Sequence, residues 1–166
     1  MRTTIFLSTL YLVFGFFACN KGDDSNQPAI NWTNRISQLY DYNERKISVS
    51  EGITGTLTMK DGDCSGTGTT CREYPVKRQI RIYNAVLSSQ LPGNGENFIT
   101  KVNGKLIATV STDNEGFFQY QLTPGNYSLF IEEDGKLYSD DKQENPVQVR
   151  AGRVGQSNLT INYAIE

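Results

Sequence analysis

From Gly52 onward the chain repeats one pattern: short runs in which every second residue is apolar, each cut by Gly, Pro, Asn or Asp. A period of two places alternate side chains on opposite faces of an extended strand, so each run builds one buried face and cannot build a helix stripe. Ile53, Gly55, Leu57 and Met59 alternate with Thr54, Thr56 and Thr58, which predicts a half-buried strand with a Thr-lined solvent face. Asp61-Gly62 ends it. Val76, Ile80 and Ile82 alternate with Lys77, Gln79, Arg81 and Tyr83 as a second strand, and Pro92-Gly93-Asn94-Gly95 marks a loop. Phe98–Val102 and Lys105–Thr112 flank Asn103-Gly104, the strongest short-range hairpin signal, because a two-residue turn of this kind needs positive φ at both places. Asp113–Gly116 turns the chain, Phe118, Tyr120 and Leu122 follow, and Pro124-Gly125 turns it again before Tyr127, Leu129 and Ile131. Asp134-Gly135 leads to Leu137-Tyr138. Val147 and Val149, then Leu159, Ile161, Tyr163 and Ile165, close the series. Gly116 and Gly125 are both expected at positive φ, each setting up the next core residue. The class predicted is all-β, an antiparallel β-sandwich.

The N-terminus carries a different signal. Arg2 precedes an apolar stretch from Ile5 to Phe17, then Ala18 and Cys19, and an abrupt polar tract begins at Asn20. The apolar stretch is shorter than the roughly 20 residues that span a bilayer. This arrangement resembles a bacterial lipoprotein signal. The resemblance implies cleavage before Cys19 and acyl chains, palmitate among them, on its sulfur and new amino group. Several chains together anchor a protein where one holds only weakly. Asn20-Lys21-Gly22-Asp23-Asp24 resembles the tag that sends some lipoproteins to the outer face of the outer membrane; it also reads as a solvated tether. The expected organisation is a signal peptide over 1–18, a lipidated Cys and tether over 19–51, and the sandwich over 52–166. Within the tether, residues 36–45 read as a short helix or an irregular approach, since Ile36, Leu39, Tyr40 and Asn43 have loose helical spacing.

Removing residues 1–18 leaves 148 of 166, enough for one domain. A formal charge of −2 gives no basic footprint for nucleic acid. The chain has no His, which excludes Ser-His-Asp and Cys-His catalysis and His-rich zinc sites. Of three Cys, Cys64 and Cys71 remain once Cys19 is set aside, and a disulfide is the default for such a pair in an exported protein. Two thiolates alone make an incomplete zinc site, so no metal or cofactor is expected.

Three pieces in order resemble carboxypeptidase regulatory-like domains: Gly52-Ile-Thr-Gly55-Thr-Leu57, then Ile107 through Asp113-Asn-Glu-Gly116-Phe-Phe118, then Leu122-Thr-Pro124-Gly125-Asn-Tyr127-Ser-Leu129. The resemblance runs from 52 to about 165 and implies a transthyretin-like sandwich of about seven strands in two sheets. Gly55, Asp113, Gly116, Pro124, Gly125 and Tyr127, like Asn103 and Gly104, are then turn and core devices and not reactive groups.

What chemistry is left rests on carboxylates. Glu132-Glu133-Asp134 and Asp140-Asp141 are adjacent acids, and glycoside hydrolysis needs two facing each other across a cleft. Asp61-Gly-Asp63 and Asp113-Asn-Glu115 offer oxygens at alternate places but complete no calcium loop. The sandwich also resembles Cna B-type repeats, in which a Lys, an Asn and an acid form an internal isopeptide bond; Lys60, Asn158 or Asn162, and Glu132 hold loosely comparable places, and three surface polar residues are the favoured reading. The expected function is non-catalytic: a lipid-anchored outer-surface binding or spacer module, held to the membrane through Cys19. A glycan or protein would be met by the Cys64–Cys71, Leu91–Asn97 and Tyr138–Asn145 loops. The alternative is an accessory subunit of an outer-membrane nutrient-uptake or fibre-anchoring complex, adding a strand through a sheet edge.

Overall fold

A computed structural model describes residues 30–66, 68–87, 89, 91, 97–140 and 144–165. Cys19 and the tag after it lie outside the described residues, as do 92–96 and 141–143 of the two longer loops. Residues Asn31–Glu166 form one compact unit. It holds one helix, α1 (Ile36–Glu44), and two β-sheets.

The first sheet is built around β1 (Gly52–Asp61). On one side of β1, β6 (Phe117–Gln121) pairs antiparallel with its first half and β2 (Arg72–Pro75) with its second. On the other side, β10 (Val154–Gln156) and β11 (Leu159–Asn162) pair with the same two halves in parallel. Between β10 and β11 the ladder is interrupted. Ser157 N–H donates to Thr54 O at 2.9 Å, and the Asn158 side chain accepts from Thr56 N–H at 3.0 Å, replacing the missing backbone carbonyl. Gly55 sits at this break. A Cβ there would stand 1.9 Å from Ser157 O and 2.7 Å from the Phe118 ring, so no side chain fits.

The second sheet runs β4 (Phe98–Ile99), β8 (Lys136–Tyr138), β7 (Gly125–Glu133), β3 (Gln79–Asn84), β5 (Leu106–Ser111). β9 (Pro146–Val149) pairs with the first half of β7. The inner faces enclose the main core: Ile53, Leu57, Phe118, Leu159 and Ile161 from one sheet meet Ile80, Ile82, Leu129, Ile131 and Tyr138 from the other. Tyr138 also bridges the sheets, its hydroxyl accepting from Asn162 N–H at 2.8 Å. Burial pushes that phenol up to about 12. The architecture is an all-β sandwich. It has eleven strands among the described residues where about seven were expected, and two pairings of β1 are parallel.

The structure corrects three sequence expectations. Thr54, Thr56 and Thr58 are buried, not solvent-facing. Their hydroxyls are satisfied: Thr56 Oγ1 accepts from Asn43 Nδ2 at 2.9 Å, Thr54 Oγ1 donates to Phe118 O at 3.2 Å, and Thr58 Oγ1 donates to Glu73 at 2.7 Å. The cover is residues 31–51, read from sequence as the end of a tether. They pack on the sandwich through Trp32, Leu39 and Asn43 and belong to the same compact unit. Second, no hairpin forms at Asn103-Gly104: neither residue has positive φ, and the segments beside it pair at opposite ends of the second sheet, β4 with β8 and β5 with β3. The chain instead crosses the outer face of that sheet, where Val86, Leu91 and Ile99 cover Tyr83, Phe130 and Leu137. The two-residue turn with positive φ at both places is Asp134-Gly135, at 49° and 73°, between β7 and β8. Third, Gly125 is the first residue of β7, without positive φ; an added Cβ would stand 3.3 Å from the Tyr127 hydroxyl that packs over it. The isopeptide arrangement, the less favoured reading of Lys60, Asn158 or Asn162, and Glu132, is not assembled. Leu57 and Met59 face the core, so Lys60 points to the outer side of the first sheet, whereas Glu132, alternating with the core residues Leu129 and Ile131, lies on the outer side of the second.

Candidate functional site

The Asp113–Gly116 turn, marked in the sequence as a turn device, ties β1, β6 and the segment before β1 together through polar contacts. Gly116 has φ 68°, and a Cβ there would lie 2.2 Å from Leu57 O. That close approach lets Leu57 N–H donate to Gly116 O at 2.8 Å, which locks the turn onto β1. Asp113 Oδ1 accepts from Glu115 N–H at 3.0 Å and Phe117 N–H at 2.9 Å. Its other oxygen takes the Lys46 ammonium at 2.7 Å, and Glu115 takes the same ammonium at 3.2 Å. Lys46 also stands over the Tyr42 and Phe117 rings at 5.1 and 5.4 Å. Burial works to lower its pKa, but the hydrogen bonds and charges of Asp113 and Glu115 outweigh burial and leave it above the ordinary value. Asp113 and Glu115, two of the four acids considered for calcium, therefore hold the chain's own cation. Lys46 carries no sequence signal, because nothing local ties it to a turn 67 residues away.

Glu132 and Glu133, the adjacent acids that end β7, are committed in the same way. Glu132 accepts from Arg81 at 2.7–2.8 Å on the outer face of the second sheet. Glu133, nearly buried, is held by both the Nε and a terminal nitrogen of Arg78. The Arg78 backbone is fixed in turn by Thr112, whose hydroxyl accepts from Arg78 N–H at 2.8 Å and donates to Val76 O at 2.9 Å. Asp61 is bound by Arg72 at 3.0 Å and by the Tyr74 hydroxyl at 2.8 Å. No group of three or more His, Cys, Asp or Glu suited to a metal ion occurs among the described residues. Two carboxylates facing each other across a cleft are what hydrolysis needs, and Glu132 and Glu133 instead project to opposite faces of β7.

Cys64 and Cys71 are disulfide-bonded, with Cα atoms 4.6 Å apart. The loop they close is tied internally: Asp63 accepts from Ser65 N–H and Oγ, which holds its carboxyl below the usual range, and Thr70 accepts from Asp63 N–H. Asn34 clasps the neighbouring edge, its backbone N–H donating to Glu73 O, its side-chain oxygen accepting from Glu73 N–H, and its amide donating to Cys71 O. Loop and clasp border a concavity of about 470 Å³ lined by Asn34, Gly62, Thr70 and Arg72. A second, of about 330 Å³, opens on the outer face of the second sheet beside Arg81, Tyr83, Thr100 and Lys101.

Pairing between strands leaves one further feature. β5 ends the second sheet; β3 is its one strand neighbour among the described residues. No helix of the described residues is long and apolar enough to cross a membrane. Comparison with protein-family models, with curated proteins and with solved structures finds no match.

Proposed function

We propose that the chain is a non-catalytic, lipid-anchored domain displayed on the outer surface, where it acts as a binding or spacer module of the transthyretin-like kind. One observation carries the non-catalytic part. Of the acids weighed for hydrolysis or calcium, five, Asp61, Asp113, Glu115, Glu132 and Glu133, are each bound by a cation of the same chain. A general acid or base must be able to reach a substrate proton, and these groups are engaged in ion pairs within the chain. The anchor part rests on the leader and Cys19. Intact mass of the protein from cell membranes tests it: the expected mass is that of a chain starting at Cys19 plus acyl groups. Protease shaving of intact cells tests display, and full protection would place the domain on the inner side.

A second reading, as accessory subunit of an outer-membrane uptake or fibre-anchoring assembly, is favoured by the backbone groups of Thr109 and Ser111, which point away from β3, the one strand neighbour of β5 among the described residues. Recovery of one stoichiometric partner from solubilised membranes would select it.

A further inference from the structure

Deamidation of an asparagine is a reaction between two neighbours in the chain. The backbone nitrogen of the following residue gives its proton to hydroxide and attacks the side-chain amide carbon. A C–N bond forms, the bond to the side-chain nitrogen breaks, and that nitrogen leaves as ammonia. The cyclic imide left behind takes up water at either carbonyl, which gives Asp or the isomer whose backbone runs through the side chain. The attacking nitrogen must therefore be unhindered, its N–H must not be held in a hydrogen bond, and the pair must lie outside regular structure.

Asn103-Gly104 meets these conditions. Among the described residues Asn103 is the one asparagine followed by glycine, which has no Cβ to crowd the attack. Asn94, also before a glycine, lies outside the described residues. Asn103 and Gly104 are both exposed and stand between β4 and β5, in neither strand. Neither the Asn103 side chain nor the Gly104 N–H makes a hydrogen bond among the described residues. Three other exposed asparagines show the contrast. After Asn34, Arg35 N–H donates to Trp32 O at 2.9 Å; after Asn84, Ala85 N–H donates to Asn126 O at 3.1 Å; after Asn114, Glu115 N–H donates to Asp113 Oδ1 at 3.0 Å. In each, the nitrogen that would attack is already committed. Charge acts in the same direction. Lys101 and Lys105 stand two residues to either side of Asn103, and no Asp or Glu occurs from Asn97 to Thr112. Positive neighbours favour the anionic form of a group, here both the deprotonated nitrogen and the carboxylate of the product.

We infer that Asn103 is a site of spontaneous deamidation in the folded protein. The product sets a carboxylate beside Thr100, Lys101 and Val102, which line the concavity next to Arg81 and Tyr83, so the cationic character of that concavity falls as the protein ages. Because the pair belongs to no ladder, the extra backbone atom of the isomer leaves the pairing of β4 with β8 and of β5 with β3 in place. The inference concerns the folded domain and is independent of the lipid on Cys19.

Peptide mapping of the full chain, purified in detergent and held in mildly alkaline buffer, tests it, with a synthetic peptide of residues 98–108 held alongside. The expected result is conversion of Asn103 to a mixture of Asp and its isomer, about tenfold or more faster than at Asn34, Asn84 or Asn114, since only Gly104 offers a bare and free nitrogen. The rate should rise in proportion to hydroxide. Asn103→Gln is expected to abolish the signal, because the ring to be closed is larger. Gly104→Ala is expected to slow the reaction; its Cβ would stand 2.8 Å from Val86 Cγ2, so its urea midpoint is compared with the parent's, and Asn103→Gln, at an exposed side chain without hydrogen bonds, serves where that midpoint moves. An Asn103 amide that persists in the protein while the free peptide converts overturns the inference, because the fold then shields the pair. Conversion at Asn103 no faster than at Asn114 overturns it as well, because the free Gly104 N–H then confers no advantage.

Discussion

β5 and β6 are consecutive in the chain, lie at the same side of the sandwich, and have opposite fates. β6 buries Phe117 and Phe118, pairs with β1, and is flanked by the strap that Lys46 pins to the turn before it. β5 buries no residue fully, has β3 as its one strand neighbour among the described residues, and carries a bulge at Ile107. The turn between them, Asp113–Gly116, is where the two regimes meet: one of its oxygens fixes the turn, another receives Lys46. The difference teaches that the strap of residues 31–51 closes one edge and not the next.

The largest effect expected from breaking this comparison is in β6. Phe118 is 1% exposed in the main core, and Phe118→Ala should cost about 3–5 kcal/mol in urea unfolding. An exposed substitution in β5 such as Thr109→Lys should stay within about 0.5 kcal/mol. Equal losses would mean that β5 is as integral to the fold as β6. Next comes Arg78→Ala, which leaves Glu133 buried without its cation and should cost about 3 kcal/mol. Thr56→Val keeps the volume but leaves the buried Asn43 amide short of an acceptor, for about 1–3 kcal/mol, and tests whether the strap is docked through its polar contacts. Smallest is Lys46→Gln. Its side chain and those of Asp113 and Glu115 are 24%, 42% and 33% exposed, so about 1 kcal/mol or less is expected. The pH dependence has a definite sign. Lys46 and Tyr138 both hold their protons more tightly folded than unfolded. Their stabilisation is complete below the unfolded values near 10 and is lost as pH rises, through about 12 for Tyr138. Stability rising between pH 10 and 12 would contradict both assignments.

Much of this fold is legible in the sequence, for reasons that mark the limit. Alternation located β1, β3, β7 and β11 because each of these strands turns one face to the core. Gly116 was readable because a tight turn and a close backbone approach both exclude a side chain there. The Cys64–Cys71 bond followed from chemistry and local reach. Alternation does not reveal what covers the polar face, so Thr54, Thr56 and Thr58 read as exposed although α1 and Asn43 lie over them. Asn103-Gly104 failed for a related reason: the apolar residues before it are drawn to the outer face of the second sheet, against Phe130 and Tyr83, and tertiary burial outweighed the local turn preference. Asp134-Gly135, with paired strands on both sides, kept it. The functional residues are the least legible. Lys46, Asn34 and Arg78 act across 37 to 69 residues of sequence, and the open edge of β5 is a property of what fails to pair with it.

Amide-resolved hydrogen exchange bears most directly on the contrast between the two strands. The amides of β6 should be protected, and those of Thr109 and Ser111, pointing away from β3, should exchange freely. Protection of Thr109 and Ser111 as strong as that of β6 would mean that the chain covers this edge too, and would contradict the account.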